Sequence, residues 1–334
     1  MVPETLVEPG TAVDMLLRSE FYEPTRPVAF YTWTDVMALP FVREHLVGTL
    51  HELADRGAAN PTVLITKCHV PDDVLAELVT ARRRGLPLVI YLSLSGLDRR
   101  VERGVRHDQL RDNFPRIAGT GIPIVHYWRP STPESATTEV MQGVLDHAAA
   151  YATATMVAGL KVEPAALGRL AQMWPELATT RGVTAAECVY PRTFWDFAHR
   201  TRQRHPGHPV FHTNSCALAY VLTRPDTFGI FGGDVCRSRN HCPPIQRDRC
   251  AAAHATRQPP ARSVIHEAMA RRGLARAAFT VSDDGRDVVV HAEVDTATAA
   301  ALTHDLGTHV RVGRDHADAY WNSGTAGALP LIIE

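Results

Sequence analysis

Residues 63–98, VLITKCHVPDDVLAELVTARRRGLPLVIYLSLSGLD, leave few choices of fold. Two apolar runs, Val63–Thr66 and Pro87–Ser93, flank a segment of helical period, Asp72–Arg84. The runs are short, rich in β-formers and not alternating, which suits strands buried on both faces. The segment between them keeps Val74, Leu75, Leu78 and Val79 on one face. Arg82–Arg84 stand at its C-terminal end, where cations favour the helix dipole. The pattern is a βαβ unit, so its strands should be parallel and joined by a right-handed crossover.

The same pattern extends in both directions. Residues 1–27 are weakly patterned; strand signals follow at Val28–Thr32, Ile122–Tyr127, Thr153–Leu160 and Pro209–His212. Helical periods cover 41–57, with Val42, Leu46, Leu50 and Leu53 inward and Gly57 as the stop, about 109–118, and about 136–151. Ser131 or Thr132 is placed to cap the last of these. Residues 161–207 read as mainly helical. Successive strands of the regular part start about 25–35 residues apart, the spacing of repeated β/α units. The expected fold is therefore α/β: a partial (β/α) barrel of parallel strands over 28–232, a cysteine-rich metal-binding segment over 233–261, and a small α+β domain over 262–334. The Gln258-Pro-Pro-Ala261 run marks the last boundary.

With 334 residues the chain can bury a core of barrel size. It is 45% apolar and 21% charged with a formal net charge of −1, so no global charge points to nucleic acid. The N-terminal stretch lacks both a charged n-region and a long apolar run, so neither a signal peptide nor a membrane span is expected, and the cytoplasm is the expected location. Six cysteines there point to metal ligands, catalytic groups or buried thiols rather than to disulfides.

In (β/α) barrels chemistry sits at the C-terminal ends of the strands. Those ends read Thr32, Thr34 and Asp35; Lys67; Ser93, Ser95 and Asp98; His126 and Arg129; Lys161; and His212 and Asn214. Surface loops are polar in any case, so each residue alone says little, but the set converges on one rim. A lysine at such a mouth can grip a carboxylate or phosphate. His126 lies inside an apolar strand, and both a ligand-facing and a satisfied core role stay open for it.

A second constellation is Cys236, Cys242 and Cys250, with Cys216 upstream as the best fourth member. Three cysteines within 15 residues are a metal signal, although the spacing is not that of a CxxC zinc knuckle. Arg237, Arg239, Arg247 and Arg249 surround them, and cationic neighbours lower thiol pKa values. The metal identity stays open, as does a reading of buried thiols. Cys68 and Cys188 stand alone and read as structural.

The strings TWTDVM, ITK, SLSGLD with a downstream Glu102, and GIPIVHYWRPSTP together resemble the radical S-adenosylmethionine (SAM) superfamily, nearest to the spore photoproduct lyase-like branch (DNA repair photolyases). The likeness runs from about Val28 to Lys161, with a weaker continuation to Cys250. It implies a partial (β/α)6 barrel. It also implies that Lys67 and Ser93 contact the methionyl part of SAM, with Thr34 and Asp35 near its amino group. One departure stands out. The family's CxxxCxxC loop, which holds a [4Fe–4S] cluster, has no match in this sequence, whose first cysteine is Cys68. The 27 residues before Val28 are too few for the usual first strand, cysteine loop and helix, so the expectation is a chain that starts late or one that has lost the cluster.

The resemblance implies a lyase-like radical SAM iron–sulfur enzyme that generates a 5′-deoxyadenosyl radical for hydrogen abstraction from a nucleic-acid or nucleoside-like substrate. The missing motif leaves room for a truncated or inactive form. The C-terminal cysteines would hold an auxiliary iron–sulfur cluster, or zinc. Ser95, His126, Arg129, Lys161, His212 and Asn214 are the substrate-binding candidates, and no catalytic residue is assigned. The alternative is a non-catalytic, metal-containing (β/α) barrel protein that binds a nucleotide or a protein partner. An unrelated metal-dependent barrel hydrolase would want several His and Asp ligands at strand ends, and only His126 and His212 fit. Oligomeric state is not legible.

Overall fold

The computed structural model describes residues 7–19, 22–32, 34–184, 186, 188–205, 207–226, 242–312, 317–318 and 330–334. The chain opens with α1 (Pro9–Leu17), β1 (Val28–Ala29), α2 (Pro40–Asp55), β2 (Thr62–Thr66), α3 (Asp72–Arg83), β3 (Leu88–Leu92), α4 (His107–Gly119), β4 (Ile124–Trp128), α5 (Thr138–Tyr151) and β5 (Ala154–Val157). Two short helices, α6 (Leu167–Leu170) and α7 (Glu176–Thr179), precede β6 (Val189–Pro191). Then come α8 (Arg192–Arg204), β7 (Val210–Phe211), α9 (Asn214–Val221), α10 (Pro244–Thr256) and α11 (Arg262–Arg271). The chain closes with β8 (Phe279–Val281), β9 (Asp287–Val290), α12 (Thr296–Leu306), β10 (His309–Val312), β11 (Ala317–Asp318) and β12 (Leu331–Ile333).

Two compact units result, one of residues 1–158 and 193–222, the other of 159–192 and 223–334. The first holds a six-stranded sheet in the order β1-β2-β3-β4-β5-β7. Every pairing in it is parallel. This is the partial (β/α) barrel that the spacing predicts. The strands β3, β4 and β5 are buried at every position, as their unbroken apolar runs require. The predicted inward set of α2 is buried, and Gly57 follows the helix at φ +68, a conformation that suits glycine.

Three local expectations change. The predicted strand Val28–Thr32 is laddered only at Val28–Ala29, and Tyr31 turns the chain at φ +55. α5 is capped by Thr137, whose hydroxyl accepts from Val140 N at 3.3 Å, rather than by Ser131 or Thr132. Those two lead into a short 3-10 turn, Pro133–Ser135, and the helix begins at Thr138 rather than at about 136. The segment 161–207 contains strand β6, whose Val189–Pro191 is too short to show a period.

The second unit has its own core of Ile265, Met269, Phe279, Val288, Val290, Leu302 and Val310 among others. It lies between α11, α12 and a four-stranded sheet, β11-β10-β9-β8, in which β8–β9 is antiparallel and β9–β10 parallel. This is the small α+β appendage. The C-terminal strand β12 does not join that sheet; it pairs in parallel with β6. Gly159 lies against the same strand: a Cβ there would sit 2.4 Å from the Val189 carbonyl oxygen. No described helix is long and apolar enough to cross a membrane.

Candidate functional site

The register of the parallel sheet decides which side chains meet at its C-terminal rim. Ile65 pairs with Tyr91, and Tyr91 with Val125, so these share a face. Alternation adds Tyr127, which meets Tyr91 edge-to-face at 5.8 Å. The ladder continues past the ends of β2 and β3, where Ser93 N donates to Thr66 O at 2.9 Å. Lys67 and Ser93 are thus register partners, on the Ile65–Tyr91 face.

Two carboxylates meet this rim. Asp35 reaches it from the loop after β1. Its Oδ1 accepts from Thr66 Oγ1 at 2.7 Å and from Met37 N at 2.9 Å, and its Oδ2 accepts from Lys67 N at 2.6 Å. The Asp35 charge also acts on the neighbouring Cys68 thiol. Burial first, and the Asp35 charge second, push that thiol up to about 11, so it stays protonated. Glu102, from the loop between β3 and α4, is the second. Its Oε1 accepts from Lys67 Nζ and its Oε2 from the Ser95 hydroxyl. Ser95 Oγ in turn accepts from Leu97 N at 3.0 Å. The Glu102 side chain is 7% exposed and that of Lys67 26%. Ser93 Oγ is buried and has no hydrogen-bond partner among the described residues.

The remaining candidates are spread out. Thr34 is exposed in a turn, its N–H donating to Tyr31 O. Arg129 is exposed and stacks its guanidinium over the Tyr127 ring at 4.3 Å. Asn214 begins α9; its carbonyl accepts from Tyr91 Oη at 3.1 Å and its amide donates to Tyr127 Oη at 3.4 Å. His212 packs with Trp195 and His199 at ring distances of 4.9 and 5.0 Å. Lys161 pairs with Glu163 at 3.2 Å, belongs to the second unit, and lies four residues beyond the end of β5.

His126 points the other way. It is fully buried on the helix-covered face, with Phe114 and Trp128 rings at 6.0 and 5.6 Å. Its Nε2–H donates to Leu94 O at 2.9 Å, and its Nδ1 lies 3.1 Å from Thr155 Oγ1, which is 2.7 Å from His208 Nε2. Burial drives the His126 pKa down to about 3 and that of His208 to about 4. His126 is thus a neutral, satisfied core histidine. Of the two readings open at the sequence level, the core one holds, because an odd position in β4 faces the helices.

The cysteine constellation divides. Cys236 lies outside the described residues, as do Arg237 and Arg239. Cys216 belongs to the first unit, Cys242 and Cys250 to the second, and all three are buried. Cys250 Sγ accepts from Asp226 N at 3.3 Å and Gln246 Nε2 at 3.5 Å. Burial raises the Cys250 pKa and outweighs the lowering by Arg249, so the expected cationic depression does not prevail there. No group of three or more His, Cys, Asp or Glu able to hold a metal occurs among the described residues. A [4Fe–4S] cluster therefore finds no fitting ligand set among them, and the sequence lacks CxxxCxxC. The groups that the motif resemblance assigns to the methionyl head of SAM are the Lys67 ammonium, paired with Glu102, and the buried Ser93 hydroxyl, which has no hydrogen-bond partner among the described residues. A separate cavity of about 410 Å³, lined by Pro40, Arg43, Glu44, Val47, Asp73, Val74 and Glu77, contains none of the candidates.

No protein-family model matches this sequence, and no curated protein matches it. Among solved structures the chain is similar to Streptococcus suis SuiB. The crystal structure of SuiB bound to S-adenosylmethionine gives a TM-score of 0.40 at 12% identity, over 70% of this chain and 50% of that one. A further SuiB crystal structure gives 0.35 at 12% identity, over 55% and 39%. SuiB bound to precursor peptide SuiA gives 0.29 at 18% identity, over 41% and 33%. This chain spans half or less of the SuiB chains. At such scores the likeness carries neither family nor chemistry across.

Proposed function

We propose that the C-terminal rim of the six-stranded sheet binds S-adenosylmethionine by its methionyl head, in a partial barrel of radical SAM type. The observation that carries this reading is the register pair Lys67–Ser93. Continuing the Thr66–Leu92 pairing by one residue sets Lys67 opposite Ser93, whose buried hydroxyl has no partner among the described residues, and the motif resemblance assigns both to that head. Buried polar groups are nearly always hydrogen-bonded, so an orphan hydroxyl at a rim is a site awaiting an acceptor. When bound, SAM would supply an activated sulfonium carbon and, with a reductant, a radical. This chain's own residues bind and orient: Lys67 attracts the carboxylate, Ser93 hydrogen-bonds it, and Asp35 holds the Lys67 backbone in place.

No radical step is assigned, because the described residues hold no ligand set for the cluster it needs and the sequence has no CxxxCxxC. The spore photoproduct lyase-like branch and its nucleic-acid or nucleoside substrate gain nothing from the rim. Among the described rim residues Lys67 is paired with Glu102 and Arg129 stacks on the Tyr127 ring, so no cluster of cations stands ready for a phosphate chain. The auxiliary metal site of Cys216, Cys236, Cys242 and Cys250 rests on sequence spacing alone. Iron and zinc analysis of the Cys242→Ser variant tests it, and metal content equal to that of the parent removes it. Calorimetry tests the main reading. Lys67→Ala should weaken SAM by about 1.5–3 kcal/mol, the worth of a hydrogen bond to a charged group. Unchanged affinity refutes the site.

A further inference from the structure

We propose that the edge of β6 is a strand-docking site, and that this chain's own residues 331–334 are its detachable occupant. The site lies within the second unit and shares no residue with the Lys67–Ser93 pair.

The slot is built almost without its occupant. A small core of Val162, Trp174, Leu177, Val183, Ala186 and Val189 comes from one contiguous stretch of chain. Strand β12 adds Ile333 to the buried members, with Leu331 packed against them. The two edges of β6 differ. Val189 spends both backbone groups on Leu160, in two hydrogen bonds of 2.8 Å. Backbone groups of successive strand residues point to opposite edges, so those of Cys188 and Tyr190 point away from Leu160. On that side Leu331 N donates to Cys188 O at 2.9 Å, and the parallel ladder runs from Leu331 against Val189 to Ile333 against Pro191. With β12 removed this edge would be open, and an open edge is a template for another strand.

The occupant spells out what the slot reads. Backbone pairing holds an extended segment, and alternate side chains give selectivity. Leu331 and Ile333 share the face that meets the small core, and Ile333 is 6% exposed. One residue further, the Glu334 carboxylate accepts from Arg192 Nε at 3.0 Å and Nη2 at 2.9 Å. Arg192 follows β6 directly, so edge, apolar pocket and cation succeed one another along the parallel pair. The segment that fits is short and extended, with apolar residues two apart and then an acid. Its hold is small: three ladder residues and one buried side chain. Residues 319–330 join it to β11, a length that spans about 40 Å if extended.

The test uses a fluorescein-labelled, end-capped peptide of residues 330–334, PLIIE, with the full-length chain and a chain truncated after Leu329. By fluorescence anisotropy the truncated chain should bind the peptide at least about 10-fold tighter, because the tethered strand competes at high effective concentration in the full-length one. Ile333→Asp in the peptide should cost at least about 10-fold, the penalty for burying a charge. Arg192→Ala in the truncated chain should weaken the parent peptide about two- to fivefold, the worth of an exposed ion pair. A folded truncated chain that binds no peptide, equal binding by the two chains, or indifference to Ile333→Asp overturns the inference. Should the truncated chain not fold, amide exchange on the full-length chain decides. The β12 amides should exchange together and at least about 100-fold faster than those of β9, as a locally opening unit does. Protection equal to that of β9 makes β12 a fixed part of the fold and overturns the inference. A full-length dimer in sedimentation that the truncation abolishes would seat the strand in a second copy and overturn its occupancy in cis.

Discussion

The two faces of β3–β5 end in opposite chemistry. On the helix-covered face, His126, Thr155 and His208 form a closed buried chain whose imidazoles are held neutral. On the other face, at the rim, Lys67 is partly exposed, and the buried Ser93 hydroxyl has no hydrogen-bond partner among the described residues. Both faces are built from polar residues in apolar strands. The difference is satisfaction: the first has exchanged water for protein partners, and the second has kept unused donors and acceptors. Unspent hydrogen-bonding capacity in a half-buried place is what a ligand can use, whereas a completed network stabilises and does nothing more.

The comparison can be broken most strongly at Asp35, the one rim group that resembles the closed face. Asp35→Ala would leave the Thr66 hydroxyl proton and the N–H groups of Met37 and Lys67 without their acceptor. Each such loss costs about 1–3 kcal/mol when buried, so urea unfolding should show a loss of at least about 3 kcal/mol. Glu102→Gln keeps the side-chain shape and loses one acceptor, to Lys67 or to Ser95, so it should cost less than the loss of all three Asp35 contacts. Equal losses would erase the distinction between the two carboxylates.

The closed face also predicts an acid limb. His126 and His208 have folded pKa values below their unfolded one, so the unfolded chain binds more protons between about pH 4 and 6.5. Their contribution to stability is complete above about pH 6.5 and falls as the pH drops through that window. The slope approaches about 1.4 kcal/mol per pH unit for each imidazole. His126→Asn should flatten it, whereas Lys67→Ala should leave it in place. Denaturant midpoints measured across the window decide this.

Smaller effects concern the loop that delivers Glu102. Gly96 lies at φ +81, and a Cβ there would come within 2.7 Å of Val140 Cγ1 and 2.8 Å of Val144 Cγ2. Gly96→Ala should therefore cost about 2 kcal/mol in stability, from left-handed backbone and crowding together. It should also weaken SAM by displacing Ser95 and Glu102; a variant with parental affinity would show that the loop does not position them. Smallest is Thr137→Ala, which removes the α5 cap and should lower stability by about 1 kcal/mol without touching ligand affinity.

Period and composition alone determine much of this protein. The unbroken apolar runs at 63–66, 88–92 and 124–128 require strands covered on both sides. The amphipathic segments between them require crossover helices, and together these set the strand order and the parallel sense. Strand-end position nominated Lys67, Ser93 and Asp35 within a longer polar set, and the motif resemblance picked them out of it together with Thr34. The same unbroken runs hide facing, because strands buried on both sides show no alternation, and so His126 was legible as a histidine in a strand but not as one turned toward the helices. Pairing at a distance is equally hidden: nothing near Leu331–Ile333 names Val189–Pro191 as its partner. The sharpest case is the pair of acids. Asp35 and Glu102 look alike in a list of residues, and only the tertiary fold decides that Asp35 ties down the end of β2 while Glu102 meets Lys67 and Ser95.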